Sequence, residues 1–214
     1  MSRKRAKVPL PPSVLDWSDH HLVAFEDELF RIYRTAGNYP VEWNTFREYG
    51  PVATSRWDPH PLPSGIHPSH AIMYCACSLP TALAEVFQDA RHVDLVANSP
   101  RLTIWKPSRP LTLLNLTSTS SWTLQNGAAH SLNSLQDIAL SQQWARAIFA
   151  ADINDELDGL LVESTMTGHD SVVLFKPAEE SLPVAPTADA PLAAQHARLL
   201  IKAAAKEIGY SVDG

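Results

Sequence analysis

One carboxylate, Glu85, interrupts an apolar segment that extends from Tyr74 to Phe87. Its neighbours in the chain are alanine, leucine, valine and phenylalanine, so the sequence predicts a carboxyl group that is partly enclosed by apolar side chains. An unpaired carboxylate is costly to bury, and an acid in this setting is expected to be paired or to take part in chemistry. The alternative is a solvated helix glutamate.

Arginine and serine residues elsewhere in the chain could complete a site around Glu85. Arg31 lies in an aromatic strand motif, Arg56 precedes a Trp-Asp-Pro sequence, and Ser164 follows a predicted strand. A guanidinium group can hold a diphosphate through parallel hydrogen bonds. These residue types are the ones an enzyme needs to bind a pyrophosphate and cleave a glycosidic bond. Structural alternatives are an exposed edge-strand arginine, an ion pair of Arg56 with Asp58, and a turn cap at Ser164.

Two tyrosines are candidates for contact with a flat heterocycle. Strand alternation places Leu29, Arg31 and Tyr33 on one face, so a cation and an aromatic ring would stand side by side. Tyr74 opens the Tyr-Cys-Ala-Cys segment. Its ring could stack on a ligand, or it could belong to the core with its hydroxyl group hydrogen-bonded.

Glycine-rich phosphate loops and metal-ligand motifs are missing from the sequence. With eight glycines and neither a Gly-x-Gly-x-x-Gly nor a Walker motif, arginines must grip the phosphates of any bound nucleotide. His60, His67 and His70 share one Pro-rich loop, but they lack the spacing of a metal site, and no metal is expected. A metal-dependent hydrolase built on these histidines stays open as a minor alternative.

Composition limits the class of protein. The net charge of −6 gives no indication of direct nucleic-acid binding, although Ser2–Lys7 is basic. No apolar stretch approaches the roughly 20 residues of a membrane span, so no membrane association is expected. Cys75 and Cys77 would share one strand face, a poor geometry for a disulfide. The expectation is a reduced, cytoplasmic protein with buried thiols.

The elements that must position these residues follow from hydrophobic periodicity. We predict a mixed α+β fold with a curved, largely antiparallel sheet. The predicted strands are Leu29–Tyr33, Ile72–Ala76, Leu102–Trp105, Leu111–Leu116, Gly159–Glu163 and Ser171–Phe175, and the predicted helices are Pro80–Ala90, Leu135–Ala150 and Leu192–Ile208. Ser78 is the predicted cap of the first helix.

Proline clusters and composition divide the chain into four parts. Residues 1–24 form a basic and Pro-rich extension, 25–176 the main domain, 177–191 a Pro-rich linker, and 192–214 an amphipathic helix and tail. In that helix an apolar stripe contains Ala193, Ala197, Leu200, Ala204 and Ile208. Docking of the stripe on its own domain is favoured over docking on a partner.

Several motifs, taken together and in order, make residues 25–176 resemble the RES-domain family, the toxins of bacterial RES–Xre toxin–antitoxin pairs. The family is named for a recurring arginine, glutamate and serine. The motifs that carry the resemblance are Phe30-Arg31-Ile32-Tyr33, Gly50 with Arg56-Trp57-Asp58-Pro59, Tyr74-Cys75-Ala76 with Thr81-Ala82-Leu83-Ala84-Glu85, Trp144-Ala145-Arg146-Ala147, and Asp158-Gly159 with Ser164 and Val173-Leu174-Phe175.

The resemblance implies an ADP-ribosyltransferase-like fold and NAD as substrate. Family members hydrolyse or phosphorolyse NAD, or transfer ADP-ribose to a protein. Arg31 would be a catalytic residue together with Glu85, and Arg31 and Arg56 would hold the pyrophosphate. Tyr33 or Tyr74 would pack against the nicotinamide or its ribose. Ser164 would orient the substrate. Glu85 would stabilise the oxocarbenium-like centre as nicotinamide leaves.

The resemblance leaves the acceptor and the partner to be inferred. The N-terminal extension, loop 58–70 and the tail after Pro177 are additions to the shorter members. They favour a protein acceptor over water or phosphate, although a water-excluding lid would leave the same signature. A cognate helix-turn-helix antitoxin of the Xre type, joined in a hetero-oligomer, is expected. A non-catalytic nucleotide- or partner-binding module is the remaining alternative.

Overall fold

The computed structural model describes residues 8–213, and the basic segment Ser2–Lys7 lies outside them. The strands are β1 Leu22–Phe25, β2 Leu29–Arg34, β3 Tyr49–Gly50, β4 Gly65–Ile66, β5 Ile72–Ala76, β6 His92–Val93, β7 Pro100–Trp105, β8 Leu111–Asn115, β9 Gly159–Glu163, β10 Asp170–Phe175, β11 Ala188–Pro191 and β12 Ser211–Val212. The α-helices are α1 Leu79–Val86, α2 Trp122–Gln125, α3 Ile138–Ala151 and α4 Gln195–Glu207.

An eight-stranded sheet with the order β1-β8-β9-β10-β5-β2-β7-β11 forms the centre of the molecule. Its neighbouring strands are antiparallel except for the parallel pair β8 and β9. All six predicted strands belong to this sheet, and the predicted α+β fold class with a mostly antiparallel sheet is confirmed.

The two faces of the sheet are covered differently. On one face of β5, the alternate residues Met73 and Cys75 belong to a hydrophobic cluster that extends across the strands from Phe25 to Trp105. On the other face, the residues of β5 belong to two separate hydrophobic clusters. Ile72 belongs to the cluster beneath α3, and Ala76 belongs to the cluster beneath α1 and α4. Apolar burial on this second face is therefore divided, and the division falls at β5 between these two residues.

Tyr74 occupies that division. It shares the face of Ile72 and Ala76, because residues two apart in a strand point the same way, and 38% of its surface is exposed. The described pairing of β2 with β5 consists of one position, Phe30 with Ala76, whereas β5 pairs with β10 along its whole length. On this edge of β5 the pairing is interrupted beside Tyr74, between Phe30 opposite Ala76 and Arg47 opposite Ile72.

Helix α1 follows β5 directly in the chain. As predicted, Ser78 caps the helix, since its hydroxyl oxygen accepts the N–H of Thr81 at 3.3 Å. Leu83 is completely buried and anchors α1 on the sheet. The helix ends at Val86, four residues before the predicted end, because the chain leaves the helical conformation at Phe87. Glu85 therefore lies in the last helical turn.

The proposed division into linker and domain differs from the structure at both ends. Residues 177–191 are not a linker: Lys176–Ser181 forms a 3-10 helix, and β11 pairs with β7 as an edge strand. An edge strand tolerates proline, which explains why its Pro191 misled the prediction. At the other end, β1 pairs with β8 and Val8 is buried in the core, so the domain begins well before residue 25.

Helix α4 docks on its own domain beside α1, as predicted. The buried stripe consists of Ala197, Ile201, Ala204 and Ala205. The predicted member Leu200 is instead 63% exposed, because the true stripe is rotated by one residue toward Ile201. Between residues 8 and 213, none of the helices has the length and hydropathy of a membrane span.

Candidate active site

A hydrogen bond between Ser164 and Glu85 forms the centre of the site. The Ser164 hydroxyl group donates to Oε1 of Glu85, which joins the end of β9 to the last turn of α1. The Ser164 oxygen also accepts the N–H groups of Met166 at 3.1 Å and Thr167 at 3.3 Å. Ser164 is 5% exposed, so its hydroxyl group is already fully engaged within the protein. It holds the Glu85 carboxylate rather than standing free for a ligand.

Arg56 supplies positive charge to this carboxylate. Burial lowers the pKa of the Arg56 guanidinium, and the charge of Glu85 opposes that shift. One Arg56 N–H group donates to the Leu135 carbonyl oxygen, in the segment that precedes α3. The alternative ion pair with Asp58 does not form among the described residues, because Asp58 pairs with Arg47 at 2.9 Å.

Tyr74 completes the cluster. Its hydroxyl oxygen accepts the N–H of Trp57 at 3.0 Å, which ties the Arg56 segment to β5. Burial raises the pKa of Tyr74, and the nearby charges of Asp58 and Glu85 act in the same direction, against Arg47. The phenol is therefore neutral at physiological pH. The residue as a whole is 38% exposed, so part of Tyr74 remains accessible.

Arg31 lies apart from this cluster. Its guanidinium donates to the Trp43 carbonyl oxygen at 2.7 Å, and burial lowers its pKa while nearby Cys75 opposes the shift. Strand alternation puts Arg31 on the face opposite Phe30, whose partner Ala76 shares the face of Tyr74. A shallow depression of about 330 Å³ nevertheless connects β2 with the end of α1; it is lined by Arg31, Ile32, Tyr33, Arg34, Tyr39, Val41 and Val86.

Tyr33 also lies outside the cluster. Its hydroxyl group donates to Oδ1 of Asp189 at 2.7 Å and accepts Nε of Arg101 at 3.0 Å. Burial and the hydrogen bond to Asp189 raise the pKa of Tyr33 to about 12. These contacts anchor the edge strand β11, so of the two tyrosines the structure brings only Tyr74 to Glu85.

The cysteines and the loop histidines are separate from the site. Cys75 and Cys77 are both free thiols, as predicted, and burial raises the pKa of each to about 12. The rings of His60, His67 and His70 lie 6.0 to 6.5 Å apart. Across residues 8–213, no group of three or more His, Cys, Asp or Glu side chains could hold a metal ion.

Two residues that support the site were not found from the sequence. Arg47 contacts the Asp58 carboxylate, and Gln142 of α3 donates to the carbonyl oxygens of Val52 at 2.8 Å and Ser55 at 2.9 Å. Gln142 is 7% exposed and is distant from these partners in sequence. A glutamine within a predicted helix was the only feature that the sequence offered, and it does not identify Val52 and Ser55 as the groups that Gln142 contacts.

Comparisons with known proteins agree with this architecture. The sequence profile described as "RES domain" matches residues 11–195. A solved structure described as the M. tuberculosis MbcT–MbcA toxin–antitoxin complex contains a chain that superimposes with a TM-score of 0.57 at 17% sequence identity. The alignment covers 85% of this chain and 92% of that chain, which establishes a shared fold. No curated protein sequence matches the chain.

Proposed function

Because the chain belongs to the RES domain family, we propose that it is the toxin of a toxin–antitoxin pair that consumes NAD. It would cleave the nicotinamide–ribose bond and transfer ADP-ribose to a cellular protein. The observation that carries the proposal is the Glu85 carboxylate, held by Ser164 and flanked by Arg56 and Tyr74 at the division of the sheet.

Glu85 has the chemistry to stabilise the transition state of this cleavage. Departure of nicotinamide leaves positive charge on the ribose, in an oxocarbenium-like centre. A fixed carboxylate favours that charge without having to reorganise, which is commonly worth about 3–4 kcal/mol. Ser164 engages Oε1 of Glu85, so the rest of the carboxylate is available to a ribose hydroxyl group or to the incoming nucleophile.

Arg56 and Tyr74 fit the two ends of the reacting half of NAD. Arg56 spends one N–H group on Leu135, and a guanidinium has five, so it keeps donors for a pyrophosphate. The accessible part of Tyr74 offers a surface to the nicotinamide. Arg31 and Tyr33 are assigned more distant roles, in which the depression they share with Val86 receives the remainder of the dinucleotide.

The fate of ADP-ribose distinguishes the proposal from its alternatives. A hydrolase would release free ADP-ribose, a phosphorylase would release ADP-ribose 1-phosphate, and a non-catalytic binding module would leave NAD intact. We therefore suggest mass spectrometry of NAD products and of cellular proteins after induced expression. A protein heavier by one ADP-ribose supports the transferase, and intact NAD with no modified protein contradicts catalysis.

The proposal includes a partner in the cytoplasm. A toxin requires restraint in its own cell, and the structural neighbour is described as part of a toxin–antitoxin complex. We expect a cognate Xre-type antitoxin with a helix-turn-helix domain whose tail occupies the NAD cleft. Co-expression with the product of a neighbouring helix-turn-helix gene should restore growth and yield a hetero-oligomer. Growth arrest that persists despite a bound partner would contradict this role of the tail.

A further inference from the structure

Asp58 is a completely buried carboxylate whose oxygens are both fully engaged. Oδ2 accepts Nη2 of Arg47 at 2.9 Å and the N–H of Val52 at 2.8 Å. Oδ1 accepts the N–H of His60 at 3.1 Å and Nδ1 of the same histidine at 2.5 Å. Four hydrogen bonds therefore converge on one side chain, and they join residues 47, 52 and 60 around it. An acid buried without such partners would be strongly destabilising.

The segment that Asp58 organises is the one that carries Arg56. Gln142 fixes the carbonyl oxygens of Val52 and Ser55 on one side of the segment. Between these contacts and Asp58, the backbone N–H of Trp57 donates to Tyr74. Arg56 and the Trp57 amide thus lie between two anchored parts of the segment.

His60 adds rigidity to this arrangement. Its ring packs against Gly50 so closely that a Cβ atom at residue 50 would come within 2.5 to 2.6 Å of ring atoms. The ring is completely buried, and its Nε2 atom has no hydrogen-bond partner within the described part of the chain. The imidazole is therefore held by Gly50 on one side and by Asp58 through Nδ1.

We infer that Asp58 is a positioning residue that sets Arg56 and the Trp57–Tyr74 contact for pyrophosphate binding, an inference that rests on the proposed function. Asp58 contacts Arg47, Val52 and His60, and it acts on the substrate through Arg56. A purely structural acid would change stability alone. A positioning acid changes the Michaelis constant for NAD, and its effect disappears when Arg56 is removed.

The Asp58→Asn variant tests this inference, because it keeps the volume of the side chain and removes the charge. We expect KM for NAD to rise about tenfold, with kcat within about threefold of wild type, as for the loss of about one charge-assisted hydrogen bond in ground-state binding. The matched control is Asp158→Asn. Asp158 is also buried and pairs with Arg109 at 2.6 and 2.7 Å, and KM should not change.

A double-mutant cycle separates positioning from general loosening of the fold. In an Arg56→Gln background, Asp58→Asn should raise KM by less than about twofold more. Hydrogen exchange gives a readout that needs no NAD: peptides covering residues 55–60 should exchange faster in Asp58→Asn than in the Asp158→Asn control. A folded Asp58→Asn protein with wild-type KM for NAD and wild-type hydrogen exchange would overturn the inference. The proposed function would still stand in that case, because the protein would turn over NAD.

Arg47→Gln provides a second variant if Asp58→Asn does not fold. The Arg47 side chain is 30% exposed, and its removal takes one partner from Asp58. A KM increase of about threefold supports the inference, and wild-type KM contradicts it. If wild-type protein releases no nicotinamide from NAD, the proposed function fails; faster exchange of residues 55–60 in the variants then still reports whether Asp58 orders the segment.

Discussion

Replacement of Ser164 by alanine removes the group that holds the proposed catalytic carboxylate. In the wild-type protein the Ser164 hydroxyl group donates to Glu85 and accepts two backbone N–H groups, those of Met166 and Thr167. Alanine supplies neither function and leaves the carboxylate free to rotate about its side-chain bonds. The variant should therefore lose activity through Glu85 while it keeps its fold, since the change removes a single oxygen atom.

The size of the effect follows from the charge of the acceptor. A hydrogen bond to a charged group contributes about 1.5–3 kcal/mol. About 1.4 kcal/mol corresponds to a factor of ten in rate, so kcat should fall between about tenfold and a hundredfold. KM for NAD should change by less than about threefold, because Arg56 and Tyr74 do not bond to Ser164. The two abandoned N–H groups should lower the free energy of unfolding by about 1 kcal/mol.

Initial rates of nicotinamide release over a range of NAD concentrations measure both constants. The matched control is Ser171→Ala, because the buried Ser171 hydroxyl group has no hydrogen-bond partner among the described residues. It removes the same atom and should leave kcat unchanged. A wild-type kcat in Ser164→Ala would refute the reasoning. So would an equal loss in an Ser164→Ala variant built on Glu85→Gln, where the hydroxyl group no longer has a carboxylate to hold.

Three further outcomes follow from burial and hydrogen bonding. Although burial opposes the shift, hydrogen bonds from His60 and Val52 and the charge of Arg47 lower the pKa of Asp58 from 3.8 to about 2. The ionised Asp58 therefore stabilises the folded protein by about 2 kcal/mol above about pH 4, and this stabilisation is lost as the pH falls toward 2. Urea unfolding at pH 6 and pH 3 measures this: between the two pH values, the free energy of unfolding should fall less in Asp58→Asn than in wild type. Tyr74→Phe should lower stability by about 1 kcal/mol and raise KM for NAD far less than Tyr74→Ala, since the ring stays; equal KM values would contradict the stacking role. With thiol pKa values of about 12, both cysteines should alkylate slowly at pH 8 until urea is added, as mass spectrometry would show; rapid labelling of the folded protein would contradict these raised thiol pKa values.

Local pattern was sufficient to predict the elements that carry the site. The strand Ile72–Ala76 and the strand Gly159–Glu163 have the predicted boundaries, because their sequences are apolar and, apart from Tyr74 and Glu163, buried. Ser78 and Pro80 indicate the start of α1, because serine is a favoured N-cap residue and proline is favoured in the first helical turn. The resemblance to a known family then linked Glu85 to Ser164, residues that the fold brings into contact.

Long-range contacts account for what the sequence did not predict. Arg31 and Tyr33 share one strand face as expected, yet Tyr33 bonds to Asp189 at the far edge of the sheet. That strand was hidden by the prolines around it, and pairing with β7 is decided by backbone atoms rather than by side-chain pattern. Likewise, an ion pair of Asp58 with Arg56 was one alternative from the sequence, but the backbone path presents Asp58 to Arg47 and His60.

The most direct test of the account is the rate at which the purified protein releases nicotinamide from NAD, compared with its Glu85→Gln variant. The substitution keeps the size of the side chain and removes the negative charge, which is worth about 3 kcal/mol in the transition state. We predict that wild-type protein releases nicotinamide and that the variant, with the same fold and a similar KM, does so about a hundredfold more slowly. Equal rates, or no release by wild-type protein, would contradict the central role given to Glu85.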